Sequence, residues 1–223
     1  MTHKLTLKSI APVTHNTYHL TMDRPEGFSF EPGQATEIAI DKDGWRDEAR
    51  PFTMVSQPED DELAFVIKSY PDHDGMTEQV ATLSKGDGLL VETPFGAITD
   101  HGPGVFIAGG AGITPFISIL RKRDRDGTLD GAHLIFSNAT EKDIILKDEF
   151  DRMNGLKKTY IVTNDPDSPH SGDQLDASTL DELIGSKDQA FYICGPGPMV
   201  DDVRDALKEI GVSEDNIVTE DGW

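Results

Sequence analysis

Sulfur chemistry is almost absent from this sequence, whose 223 residues include a single cysteine, Cys194. No internal disulfide can form, and no four-cysteine zinc or iron–sulfur site can be assembled. Positive charge is also scarce: 20 Lys and Arg stand against 41 Asp and Glu, a formal net charge of −21. Nucleic acid and anionic membrane surfaces select clustered cations, so neither is expected as a partner. Long hydrophobic runs are missing as well, and no stretch approaches the ~18 apolar residues of a membrane span. The first residues, Met1 to Thr6, lack the apolar run of a signal peptide. There is no internal repeat, no low-complexity tract and no expected metal site. A cytoplasmic protein is the default expectation.

Hydrophobic residues at 36% are enough for a packed core, and the length suits one or two domains. The acidity is spread evenly, with net −10 over residues 1–100 and −11 over residues 101–223. An acidic tail is therefore excluded. Two readings of the charge stand: a solvated surface that favours solubility, or adaptation to a saline habitat.

The rhythm of the chain changes near residue 100. Before it, short segments of mostly period-two alternation predict six strands, around Leu5–Ile10, Thr17–Met22, Thr36–Ile40, Pro51–Val55, Leu63–Lys68 and Leu89–Glu92. Turns such as Glu31-Pro32-Gly33 and Lys85-Gly86-Asp87-Gly88 separate them. Six short strands at this spacing predict a small antiparallel β-barrel, interrupted by one helix at Met76–Leu83 behind Asp74-Gly75. After it, apolar strands alternate with helices. Val105–Ala108, His133–Phe136, Thr159–Val162 and Phe191–Cys194 are the strands, and Asn216–Thr219 is a candidate last one. Helices are expected at Thr114–Lys122, Lys142–Met153, Ser178–Ile184 and Pro198–Ile210. This half predicts an α/β domain with a parallel sheet covered on both faces. The expected domains are residues 1–100 and 101–223.

Four segments carry candidate chemistry. Gly109-Gly110-Ala111-Gly112-Ile113-Thr114-Pro115 joins a strand to a helix, where glycines admit a phosphate and free N–H groups meet it. Thr114 is the expected N-cap, with Pro115 in the first helical turn. A glycine-rich turn can also exist for steric reasons alone. Cys194-Gly195-Pro196-Gly197-Pro198-Met199 makes a second strand-to-helix turn. In an open parallel sheet both turns fall on the carboxyl edge, where ligands bind. Arg50-Pro51-Phe52-Thr53 offers a guanidinium, a ring and a hydroxyl at a strand mouth. Taken alone, it reads equally as a surface Arg beside a core strand. Asp74-Gly75-Met76-Thr77 heads the only helix of the barrel half, as an anion cradle or an ordinary cap.

In this order, over essentially the whole chain, the segments resemble the ferredoxin–NADP reductase superfamily, in particular its compact bacterial flavodoxin/ferredoxin reductase-like and flavin reductase-like members. The resemblance implies a flavin-binding barrel followed by a nicotinamide-nucleotide-binding domain, an NAD(P)H-dependent flavoprotein reductase with FAD as cofactor. It implies that Arg50 binds the flavin phosphate, that Phe52 lies along the ring system after Pro51, and that the Thr53 hydroxyl approaches N5. Val66, Ile67 and Lys68 are implied in backbone contacts to flavin, and Gly75, Met76 and Thr77 in holding its pyrophosphate. Gly109, Gly110, Gly112, Ile113, Thr114 and Pro115 are implied for the nicotinamide dinucleotide, with Ser137 and Asn138 near its ribose. Cys194, Gly195, Pro196 and Met199 match the family's Cys-Gly-Pro-x-x-Met segment, whose Cys lies near the nicotinamide. Trp223 is implied to stack on flavin, with Glu220 or Asp221 as a proton relay; a frayed tail is the plain alternative.

NADH is favoured over NADPH, because Ser137–Thr140 and Thr163–Asp167 hold no Arg and the second stretch carries two carboxylates. Lys142 and Arg121-Lys122-Arg123 keep NADPH open. Expected acceptors are a ferredoxin, a flavodoxin or an oxygenase component, although net −21 makes an acidic carrier an uncomfortable one. Two other readings are a reductase that uses free flavin as a diffusing substrate, and a nucleotide-binding module without turnover.

Overall fold

In the computed structural model, residues 2–71 and 75–220 are described. The chain divides into two compact units, Met1–Thr99 with Thr114–Lys122, and Asp100–Ile113 with Arg123–Trp223.

The first unit contains β1 (His3–Thr14), β2 (Thr17–Asp23), β3 (Ala35–Ile40), β4 (Arg50–Thr53), β5 (Glu62–Lys68) and β6 (Gly88–Val91). All six expected strands are present. They form one antiparallel sheet in the order β4-β3-β6-β1-β2-β5. Period-two alternation drives its curl: Leu5 and Leu7 are buried while Lys4, Thr6 and Lys8 face out. Leu20, Met22, Ile38, Ile40, Phe65, Leu89 and Val91 fill the same core. The edge strands meet at a single bridge, Met54–Phe65, backed by the Val55 N–H to Ala64 O bond of 2.8 Å. The sheet is thus barrel-like and not closed by a continuous ladder. Helix α1 is shorter than its apolar pattern suggested, spanning Met76–Gln79 before a 3-10 turn over Val80–Thr82. Met76, Val80 and Leu83 pin it to the core. Asp74, expected to open this helix, lies outside the described residues.

The second unit carries β7 (Gly104–Gly109), β8 (His133–Asn138), β9 (Lys157–Val162), β10 (Ala190–Cys194) and β11 (Ile217–Val218) in a parallel sheet ordered β11-β10-β7-β8-β9. Every residue of β7 is buried, as a central strand covered on both faces requires. Between these strands the chain forms α2 (Thr114–Asp126), whose residues Thr114–Lys122 are grouped with the first unit, and α3 (Lys147–Arg152), α4 (Ala177–Leu183) and α5 (Gly197–Glu209) of the second. Among the described residues, no helix is long and apolar enough to cross a membrane, and no group of His, Cys, Asp and Glu is placed to hold a metal ion.

Three local expectations are corrected. The helix expected over Lys142–Met153 is a 3-10 turn at Glu141–Asp143 followed by the short α3. Thr140 and Asp143 close that turn as a capping box. Ile144 is extended at φ −70°, ψ 100°, it and Ile145 are buried, and Leu146 turns the backbone at φ 54° before α3 begins. Thr114 is not the N-cap of α2. A 3-10 turn over Gly110–Ile113 runs straight into the helix, so Ile113 caps it and Thr114 and Pro115 are its first two residues. The helix expected to end near Lys122 runs on to Asp126, so Arg121, Lys122, Arg123 and Arg125 lie in its last turns, which end at Gly127 with φ +67°. Arg121 donates to Val55 O at 2.8 Å. Arg123 is buried and bonds Asp100 at 2.6 Å and Thr128 O at 3.1 Å. These two arginines are committed to the fold.

Candidate functional site

Strand β4 opens on Arg50, whose guanidinium donates to Ala49 O at 2.7 Å and to the Glu48 carboxylate at 3.1 Å, with both side chains about half exposed. Pro51 lacks an N–H, which an edge strand tolerates without losing a ladder bond. Phe52 packs partly against the core, and the partly buried Thr53 pairs through its backbone with Ala35. The Met54–Phe65 bridge sets this segment beside Val66 and Ile67, which are buried, and Lys68, whose ammonium lies 6.0 Å from the Tyr70 ring centre. Gly75 precedes α1 in extended conformation without a side-chain cap, and Met76 is buried in the core. One edge of the sheet thus gathers an exposed guanidinium, an aromatic face and a hydroxyl. That set fits a phosphate-bearing, planar cofactor such as FAD.

In the second unit, β7 and β10 are neighbours with Ala108 opposite Cys194, so their turns lie side by side at the carboxyl edge. The glycines there do different jobs. A Cβ on Gly109 would sit 2.2 Å from Met199 Sδ, and one on Gly112 would sit 2.3 Å from Cys194 O. These two let the turns pack on each other, and Met199 serves as the lid over Gly109. At Gly110, by contrast, a Cβ would meet nothing within 4 Å, and the backbone adopts φ +51°. The edge is open there, as a dinucleotide requires. Gly195 also packs against Met199, Pro196 caps α5, and Ile113 is buried.

Burial pushes the Cys194 thiol up to about 12, the Glu220 carboxylate adds to the shift, and the Gly195 N–H opposes it. The sulfur is therefore a neutral thiol near pH 7, unsuited to attack as a thiolate. Asp221 and Trp223 lie outside the described residues.

At the end of β8, Ser137 is partly buried, while Asn138 is 5% exposed and neither polar atom of its amide has a hydrogen-bond partner among the described residues. A buried, unsatisfied amide at a strand's carboxyl end fits a site completed by a ligand or an ordered water. The loop after β9 folds back over this end: Thr163 N–H reaches Asn138 O at 3.0 Å and Asn164 N–H reaches Ala139 O at 2.8 Å. Ser168 and His170 of that loop converge on Glu141. Sequence reasoning passed over all three. Only the acid just past β8 was visible as a signal, since which loop residues meet it depends on how the loop folds.

Comparison with known proteins agrees with both halves. Residues 2–99 match the family model described as an FAD-binding domain, and residues 106–205 match the oxidoreductase NAD-binding domain. The chain is 31% identical to NADH-cytochrome b5 reductase 1 of Aspergillus terreus, over 93% of this chain and 77% of the relative. It is 29% identical to the reductase component of propane 2-monooxygenase from Rhodococcus jostii, over 93% of this chain and 60% of that one. In fold it is similar to a ferredoxin NADP+ reductase from Neisseria gonorrhoeae solved with FAD and NADP, at TM-score 0.85 and 21% identity, covering 100% of this chain and 99% of that one.

Proposed function

Because the chain belongs to the ferredoxin–NADP reductase superfamily of FAD- and NAD-binding oxidoreductases, we propose that it oxidises NADH through bound FAD and passes the electrons to a separate carrier protein or oxygenase component. The observation that carries this reading is the paired glycine turns of β7 and β10, open at Gly110, in the same chain as the Arg50–Thr53 strand mouth. The cofactors supply the hydride and electron chemistry, and the chain supplies binding and orientation. Arg50 neutralises flavin phosphate, Phe52 offers a flat apolar face, and Thr53 places a hydroxyl at the ring edge. Gly75, Met76 and Thr77 hold the pyrophosphate. Gly110 to Pro115 receive the dinucleotide, and Cys194 presents an uncharged, polarisable surface beside it. A division into domains near residue 100 is part of this reading, supported by family matches at 2–99 and 106–205.

The relatives' names supply two acceptor classes, a cytochrome b5 and an oxygenase. With net charge −21, an acceptor with a neutral or basic docking face is the better fit, unless salt screens the repulsion. Diffusing flavin as substrate is a second reading, favoured by the Arg50–Glu48 contact, which a flavin phosphate has to displace. One experiment separates the two. Purified protein that is yellow and bleaches on anaerobic NADH addition supports bound FAD. Colourless protein that reduces added flavin supports the second reading. Colourless protein that leaves added FAD oxidised in the presence of NADH or NADPH removes both.

A further inference from the structure

Two buried polar side chains tie the head of α2 to the first sheet, within the first unit, which includes that helix up to Lys122. Ser118 Oγ accepts from Gly33 N–H at 2.9 Å and donates to Pro115 O at 3.3 Å. Gln57 Nε2 donates to the Ser118 carbonyl at 3.0 Å. Gln57 is itself held, since its backbone N–H donates to the Asp60 carboxylate at 2.8 Å. Gly33 holds φ +101°, and a Cβ there would sit 2.1 Å from Ile98 O and 3.1 Å from Ile119 Cδ1. Only a glycine lets the chain come this close to α2. Arg121, one turn further along, donates to Val55 O at 2.8 Å.

The anchoring segments are the two that adjoin Thr53. Gly33 lies two residues before Ala35, whose backbone pairs with Thr53, and Met54 N–H reaches Gln34 O at 3.1 Å. Gln57 lies four residues beyond Thr53. On the helix, Ser118 stands one turn after Thr114, about 6 Å along the axis. The turn that carries Thr114 and Pro115 is therefore fixed to the segments around Thr53. Burial alone does not account for Gln57. Its Oε1 has no hydrogen-bond partner among the described residues, and a stranded buried acceptor destabilises the fold. A leucine fills similar space without stranding a polar atom. What the amide adds is direction, because its bond to one carbonyl fixes the height and rotation of the helix.

We propose that Ser118 and Gln57 are positioning residues for hydride transfer, holding the first turn of α2, with Thr114 and Pro115, where the dinucleotide needs it. In that transfer NADH gives a hydride to FAD, which also takes up a proton, and leaves as NAD+. A displacement of about 1 Å slows such a step by as much as about a hundredfold. This rests on the proposed seating of the dinucleotide at Gly110 to Pro115, and names what holds the end of that seat.

The test compares Ser118→Ala and Gln57→Leu with the parent protein. Three readouts are taken: amide hydrogen exchange over residues 114–122 in flavin-free protein, the Kd for FAD, and the rate of flavin bleaching at saturating NADH without oxygen. Ser118→Ala strands the Gly33 N–H, whereas Gln57→Leu frees the Ser118 carbonyl and removes an unsatisfied acceptor. Both should speed exchange at the head of α2 by about tenfold. Both should slow bleaching about tenfold at saturating NADH, with the FAD Kd changed by less than about twofold. Gln57→Leu should do so with no fall in Tm, which a merely structural role does not predict. Bleaching at the parent rate in both variants overturns the proposal. So does unchanged exchange, a loss confined to KM for NADH, or a loss that follows the FAD Kd. A parent protein that binds FAD and is bleached by neither NADH nor NADPH overturns the dinucleotide reading itself, which is a separate outcome. Two variants are used so that misfolding of one leaves the other to decide.

Discussion

Arg50, proposed above to bind the flavin phosphate, is held by its immediate neighbour. Its guanidinium has a carboxylate partner in Glu48 at 3.1 Å, and on the proposed reading a flavin phosphate has to compete with it. An exposed ion pair of this kind contributes about 0.2–1 kcal/mol, so removing it should tighten flavin binding by no more than about fivefold. Glu48→Gln is expected to lower the flavin Kd by about two- to fivefold, and Arg50→Ala to raise it by more than about tenfold. Quenching of flavin fluorescence measures both. Weaker binding in Glu48→Gln would place the phosphate elsewhere. Cys194 carries the same lesson differently: burial and the nearby Glu220 keep it neutral, so its contribution is shape and polarisability and not charge.

At the scale of elements, the turns after β7 and β10 are a single construction. Gly112 is in contact with the Cys194 carbonyl, and Gly109 lies under Met199, so neither turn can hold its shape without the other. Gly112→Ala places a Cβ 2.3 Å from backbone oxygen, which only movement of a strand end relieves. Gly110→Ala meets no atom but must hold φ +51°, at a cost of about 1 kcal/mol. Gly112→Ala is therefore expected to destabilise by about 2–4 kcal/mol and to abolish NADH oxidation, with Gly110→Ala near 1 kcal/mol. Urea denaturation followed by circular dichroism gives the order, and a reversed order would show that the turns move independently.

For the whole molecule, the governing quantity is a net charge of −21 shared by both halves. Like charges spread over a surface repel one another and destabilise the compact state, and salt screens them over a Debye length of about 10 Å at 0.1 M. The midpoint of thermal unfolding should therefore rise by several degrees between about 0.05 and 1 M KCl. A flat or falling response in scanning calorimetry would mean that the exposed pairs, such as Lys8 with Glu62 and Arg46 with Asp41, outweigh the general repulsion. The same field bears on association, since salt should speed electron transfer to an acidic acceptor and slow it to a basic one.

Much of this was legible in the residues alone. Alternation from Leu5 to Val91 specifies the strands of the first sheet, because burial on one face imposes a period of two whatever the partners are. Apolar β7 and β10, each followed by glycine, likewise announce a parallel sheet with a ligand edge. The order of motifs resembles that of the ferredoxin–NADP reductase superfamily, and it was this resemblance that implied FAD and a nicotinamide dinucleotide. Other features waited for the tertiary structure because they depend on pairs distant in sequence. The Met54–Phe65 bridge determines how nearly the first sheet closes. The break at Ile144 to Leu146 divides the single helix expected over Lys142–Met153 into a 3-10 turn and a short helix. Arg121 and Arg123, a basic patch in sequence, are taken up by Val55 O, Asp100 and Thr128 O. Glu141 gains its partners only because Ser168 and His170 reach it from another loop. Sequence determines which faces are buried, since that follows from local pattern; contacts across loops decide which polar groups remain available, since those depend on where the chain returns.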